Sequence, residues 1–143
     1  MNKLYDEDFY AWAFQQAEFL RAGNLTAADI GNIAEEIESM GRSEKRELES
    51  RLTVLLAHLL KWRFQVGRRG RSWQITIEQQ RRRLKKHLND NPSLNSSIGD
   101  TITSAYEDAR IEAGKQTGLD RDTFPLDCPY TLDALMDPDF LPD

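Results

Sequence analysis

The stretch from Glu47 to Phe64 constrains the fold more than any other part of this chain. Leu48, Leu52, Leu55, Leu56, Leu59 and Trp62 recur there at spacings of three and four, and at about 100° per residue they share one helical face. Val54, Leu60 and Phe64 fall outside that stripe, so the apolar arc is wider than a surface helix needs. Such a segment must be covered on more than one side, which predicts a helical bundle with this helix as its hub.

A chain of 143 residues has the usual size of one domain and can bury most of the surface its unfolded form exposes, so a single domain over 1–143 is expected. Its apolar runs are only a few residues long and none follows a basic N-terminus, so neither a membrane span nor a secretory signal is expected. A lone cysteine, Cys128, excludes an internal disulfide. These features fit a soluble cytoplasmic protein.

The formal net charge of −5 conceals strong segregation. Between Arg63 and His87 there are nine Lys/Arg and one acid, Glu78, while Asp120 to Asp143 holds seven Asp and one Arg. A chain polarised in this way attracts an anionic partner or neutralises itself.

Turn and cap residues divide the rest. Asp6 is placed to cap a first helix over about residues 7–22, with Tyr5 and Tyr10 as a hydrophobic staple and Phe9, Trp12, Ala13, Ala17 and Leu20 as its buried face. Thr26 is placed to cap a second, with Asp29 in the capping box and Leu25 and Ile30 as staple; Ile30, Ile33, Ala34 and Ile37 form its apolar stripe and Gly41 its stop. Ser43 then opens the hub. Beyond Gly67 and Gly70, Ser72 is the expected cap of a fourth helix carrying Trp73, Ile77, Leu84 and Leu88 on one face. Asn91 and Pro92 introduce a fifth, burying Ile98, Ile102, Ala105, Tyr106, Ala109 and Ala113 and ending at Gly118. From Leu119 onward four prolines forbid a long helix, yet Phe, Tyr and Leu are too frequent for a disordered tail. Residues 119–143 therefore read as an extended strap on the bundle, with one helical turn after Thr131 and only weak strand propensity over Tyr130 to Leu135. The expected fold is all-α, with about five helices and this proline-rich strap.

Several segments resemble the bacterial family known as domain of unknown function twenty-nine, abundant in cyanobacteria. They are Asp6-Glu7-Asp8-Phe9-Tyr10-Ala11-Trp12, Glu35-Glu36-Ile37-Glu38-Ser39-Met40-Gly41, His58-Leu59-Leu60-Lys61-Trp62, Ser72-Trp73-Gln74-Ile75-Thr76-Ile77 and Phe124-Pro125-Leu126-Asp127-Cys128-Pro129. The resemblance spans nearly the whole chain and implies an all-helical, complete single domain. It carries no activity over to any residue.

No stretch bears a catalytic signature. Carboxylate metal sites in helical bundles set a Glu and a His three residues apart on one helix, but Leu55 and Leu84 stand three before His58 and His87, so neither a metal nor a cofactor is expected. His58 lies about 80° from the middle of the leucine stripe, where an imidazole can hydrogen-bond and cover the core. Arg81 borders an apolar face, cannot shed its charge, and calls for a carboxylate, with Glu35 or Glu36 the candidates. The same Glu35, Glu36, His58 and Arg81 could alternatively line a small polar pocket. Cys128 has no cationic neighbour to favour a thiolate, and Ser72 lacks the elbow of a serine nucleophile.

The basic segment is the sharpest functional hint. Arg68, Arg69, Arg71, Arg81 and Arg82 can bind phosphate and Trp73 can stack on a base, whereas the acidic pI of about 5.1 and the place of Trp73 in a buried stripe favour a solvated face neutralised by the strap or a partner. Contact surfaces without a reactive constellation favour a protein-interaction module in a bacterial complex; nucleic-acid binding through 63–87 is the alternative, and hydrolase or nuclease activity ranks third. Ile75 and Ile111 point away from their stripes and, with Val54, Leu60 and Phe64, are expected to form a self-association patch giving a homodimer or another protein contact.

Overall fold

The structure is a computed structural model that describes residues 3–143. Among these residues the chain forms six α-helices and no strand. They are α1 (Lys3–Glu7), α2 (Phe9–Arg21), α3 (Ile30–Phe64), α4 (Arg71–Asp90), α5 (Ile98–Thr117) and α6 (Leu132–Met136). The chain divides into two compact units, Met1–Ser43 and Glu44–Asp143, with residues 30–43 of α3 in the first and 44–64 in the second.

In the N-terminal unit the caps lie slightly off their expected positions. Asp8, not Asp6, caps α2: its carboxylate accepts from the Ala11 N–H at 3.0 Å, which leaves α1 as a separate turn before it. The segment after α2 is a turn in which Asn24 Oδ1 accepts from the Ala27 N–H at 3.2 Å, so helix α3 begins at Ile30 rather than behind Thr26. Leu25 and Ile30, the expected staple, are both exposed.

Gly41 does not end the second helix. Helix α3 continues through it without left-handed backbone, and Ser43 caps nothing. Stopping there and restarting two residues later would orphan carbonyls on one side and amides on the other, whereas an interior glycine costs only about 1 kcal/mol relative to alanine. Arg42 also bridges the preceding turns, 2.9 Å from Glu35 and 3.6 Å from Glu38.

The unit from Glu44 to Asp143 holds the main core. Within the hub, Leu55, Leu56 and Ala57 and then Leu59, Leu60, Lys61 and Trp62 are all buried, so the helix is covered nearly all round as its wide apolar arc requires. Ile77, Leu84 and Leu88 of α4 and Ile102, Ala105, Tyr106, Ala109 and Ala113 of α5 complete the helical part. Gly70 rather than Ser72 precedes α4. Pro92 opens a 3-10 turn, Pro92–Ser97, leading into α5, and Gly118, at φ 77°, receives its end.

The strap joins this core. Phe124 and Leu135 are fully buried, Tyr130 nearly so, and the Phe124 ring meets Phe64 edge-on at 5.3 Å. The Tyr106 hydroxyl donates to the Pro125 carbonyl at 2.6 Å. Residues 130–135, with weak strand propensity, instead contain the start of α6, capped by Thr131, whose hydroxyl accepts from the Ala134 N–H. Leu60 and Phe64, expected on a self-association patch, face inward here; Ile75 and Ile111 remain exposed.

Candidate functional site

The N-terminal unit is held by a polar interlock. The Trp12 Nε1–H donates to Asp29 Oδ2 at 3.1 Å, the Asn32 amide donates to the same oxygen at 2.8 Å, and the Asp29 backbone N–H donates to Gln16 Oε1 at 2.7 Å. These donors hold the Asp29 carboxyl below the usual carboxylate range, the bond from Asn32 most of all. Tyr5 packs edge-on against Phe9 and Trp12 and donates its hydroxyl to Glu36, a bond that pushes the phenol up to about 12.

This interlock turns Trp12 and Gln16 inward and so rotates α2 away from its expected orientation. Phe9 and Leu20, expected in the buried face, are 50% and 43% exposed, and they join Tyr10 (74%) and Phe14 (59%) on an outward arc of about 140°. On α3, Ile30, Ile37 and Met40 are likewise exposed within about 80°. Eight of the twelve large exposed apolar side chains among the described residues lie between Phe9 and Met40. The charge is equally uneven: residues 3–43 contain eight acids and three Lys/Arg, while 44–143 contain sixteen of each, so the whole net charge of −5 belongs to the smaller unit.

The sequence-predicted arginines have separate fates. Arg69 donates from Nε to the Trp62 carbonyl at 2.7 Å and lies over the Trp62 ring, so it is committed to the fold. Arg81 is buried and donates to the carbonyls of Leu135 (2.8 Å) and Ala134 (3.3 Å). Burial presses its pKa down, with partial relief from the charge of Asp137. Its expected carboxylate partner is therefore replaced by the C-terminal carbonyls of α6. Arg68, Arg71 and Arg82 are exposed, and Arg82 borders a hollow with Gln79, Arg83 and Lys86. Trp73 is half-buried, and the Lys61 ammonium lies 5.1 Å over one face of its ring.

The proposed polar pocket residues likewise find different partners. Glu35 pairs with Arg42, and Glu36 accepts from Tyr5. His58 lies 2.8 Å through Nδ1 from the Val54 carbonyl; since a carbonyl only accepts, Nδ1 carries the hydrogen. Burial pushes this imidazole below its ordinary range, which keeps it neutral as a core-boundary donor. The Cys128 thiol is pushed up by burial and lies 3.5 Å from the Tyr130 carbonyl, the reverse of an activated thiolate.

One cluster escaped the sequence reading. Glu44 and Glu47, three apart on α3, face His87 in the last turn of α4, and one ligand atom from each of the three lies within 4.8 Å of the others. The only local signal is the i, i+3 carboxylate pair; the histidine arrives from forty residues away.

Comparison with curated proteins and with solved structures gives no match. Among protein families, the model described as Domain of unknown function DUF29 matches residues 4–141, nearly the full length seen here, and the chain belongs to that family.

Proposed function

We propose that this protein is an interaction module whose N-terminal unit docks a basic amphipathic helix of a partner protein. The observation that carries this reading is the outward apolar arc of α2, formed by Phe9, Tyr10, Phe14 and Leu20. A surface helix normally turns such an arc toward its own core, and an exposed cluster of large side chains rimmed by charge marks a contact surface. Aromatic residues are the usual anchors of such surfaces. The excess of acids in residues 3–43 selects the sign of the partner's rim: Lys and Arg flanking an apolar stripe are attracted, and a second copy of the same acidic surface is repelled.

The test uses two synthetic amphipathic helices of equal apolar pattern, one with Lys and one with Glu on the polar face. The full chain is expected to bind the Leu/Lys helix and not the Leu/Glu helix. Tyr10→Glu combined with Phe14→Glu should weaken binding by roughly thirtyfold or more, about 2 kcal/mol, while circular dichroism is unchanged because both side chains are exposed. Equal binding of both helices, or binding that survives the double substitution, overturns the reading. A dimer in sedimentation that dissociates on the same substitutions would instead give the surface to a second copy.

A second reading is supported by the unneutralised cations of α4 and the loop before it. Among the described residues, Arg68, Arg71, Arg82, Arg83 and Lys85 lie within 4.0 Å of no carboxylate, and the only strap acid in such a pair, Asp122, meets Arg110 of α5. Direct neutralisation by the strap, one bland account of the basic segment, is absent from those contacts. A phosphate backbone is the partner such a face would attract.

A further inference from the structure

The side chain of His87 is only 6% exposed, yet its ring is aimed with both nitrogens at oxygen. Nε2 lies 2.8 Å from the backbone carbonyl of Glu44. A carbonyl oxygen can only accept, so this contact assigns the hydrogen to Nε2 and turns Nδ1 toward the carboxylates. Nδ1 stands 2.6 Å from Glu47 Oε2 and 3.6 Å from Glu44 Oε2. The other oxygen of Glu47, Oε1, is held by Arg51 Nη2 at 3.3 Å, which fixes the carboxylate with Oε2 facing the ring.

Three electron-pair donors converging on one point require a cation among them. A proton on Nδ1 meets that requirement for one pair, Nδ1 and Glu47, and leaves Glu44 beyond hydrogen-bond distance. A metal ion meets it for all three. The buried imidazole, oriented by a backbone carbonyl through its remote nitrogen, is the outer-shell arrangement that metal-binding histidines use. The two carboxylates come from one turn of α3 and the imidazole from α4, so a single ion there joins the two helices. An N,O,O donor set suits a borderline divalent ion; calcium and magnesium take oxygen alone.

We infer that Glu44, Glu47 and His87 form a binding site for a divalent transition ion of the zinc type, which ties α3 to α4. Glu47 needs only a small side-chain shift to open the 2.6 Å contact to metal-ligand spacing, and it is free to make it, since both glutamates are about half exposed. Their exposure also leaves the remaining coordination position to water. Arg51 at Oε1 of Glu47 disfavours chelation by that carboxylate, so Glu47 gives one oxygen.

Zinc chloride titrated into the metal-stripped full chain, followed by calorimetry and by thermal melting, tests the site. One ion per chain and a raised melting midpoint are expected. Glu44→Gln, a change at an exposed position, should weaken zinc binding by roughly tenfold or more without altering the fold of the metal-free chain. His87→Gln should abolish it, and Cys128→Ser should leave it unchanged, excluding the thiol as the true ligand. Cobalt substituted for zinc should give visible absorption in the wild type and lose it in Glu44→Gln. Absence of zinc binding in the wild type, or binding unaffected by Glu44→Gln or lost in Cys128→Ser, overturns the inference.

Discussion

Arg81 shows how a single buried charge can organise a segment far from it in sequence. Its guanidinium sits in the core edge of α4 and is satisfied by carbonyls rather than by a carboxylate, because the C-terminal end of α6 offers the carbonyls of Leu135 and Ala134, the latter shared with the Asp137 N–H, and the negative end of a short helix. The planar, multi-donor head reaches two oxygens at once, which a lysine ammonium on a flexible stem does not reproduce. Arg81→Met would keep the apolar stem and leave the Leu135 carbonyl buried without its donor, a loss of about 1–3 kcal/mol. The expected outcome is a lower denaturation midpoint together with new protease cleavage between Leu119 and Leu141 while helical signal is largely kept. Arg81→Lys should fall close to Arg81→Met; full stability in either variant would show that the guanidinium does not hold the strap.

At the scale of elements, periodicity identified the helices correctly where one face decides their burial. Helices α4 and α5 were legible because their apolar residues leave a single workable orientation, and residues 47–64 of α3 because their wide apolar arc demands cover on several sides; the Thr131 cap and Gly118 terminus follow from local chemistry alone. Helix α2 was misread because it has apolar residues on two sides. Trp12 is buried as expected, but Phe9 and Leu20 turn outward with Tyr10 and Phe14, and the choice is made by Asp29, which belongs to another segment and holds Trp12 and Gln16 inward. The glutamate and histidine cluster was hidden for the same reason: His87 has no local partner and meets both glutamates only after α3 and α4 have packed. Gly41 was misread in a way that mutation can expose. A Cβ at Gly41 meets nothing within 4 Å and its backbone is helical, so Gly41→Ala should raise stability by about 0.5–1 kcal/mol. Gly118 has equal space but a φ of 77°, so Gly118→Ala should lower stability by about 1 kcal/mol or more. Chemical denaturation of the two variants checks the contrast, and destabilisation by Gly41→Ala would mean that the helix is broken there in solution.

At the scale of the whole molecule, charge separates the two surfaces on which a function can rest. The N-terminal unit carries the entire net charge, while the larger unit is neutral overall with its cations gathered on α4 and the loop before it. A neutral unit has no long-range attraction for polyanions, so only its cationic face can draw one in, at short range and against screening by salt. Single-stranded RNA is therefore expected to bind weakly and with steep salt dependence, at a log–log slope of about −0.7 per phosphate neutralised. With Arg68, Arg71, Arg82 and Arg83 as the contacts, the combined slope is about −3. Sequence preference should be slight, because Trp73 is half-buried and Lys61 lies over one face of its ring, which leaves little aromatic surface for a base. Replacing the four exposed arginines by Ala should remove this binding and leave the melting midpoint unchanged, since none of them lies in the core. Tyr10→Glu with Phe14→Glu should leave RNA binding intact while abolishing capture of the Leu/Lys helix, which separates the two surfaces in one protein. Fluorescence anisotropy with labelled RNA across a salt series decides the matter: binding that is insensitive to salt, or no binding at low salt, would leave the cations of α4 as a solvated face with no nucleic-acid role.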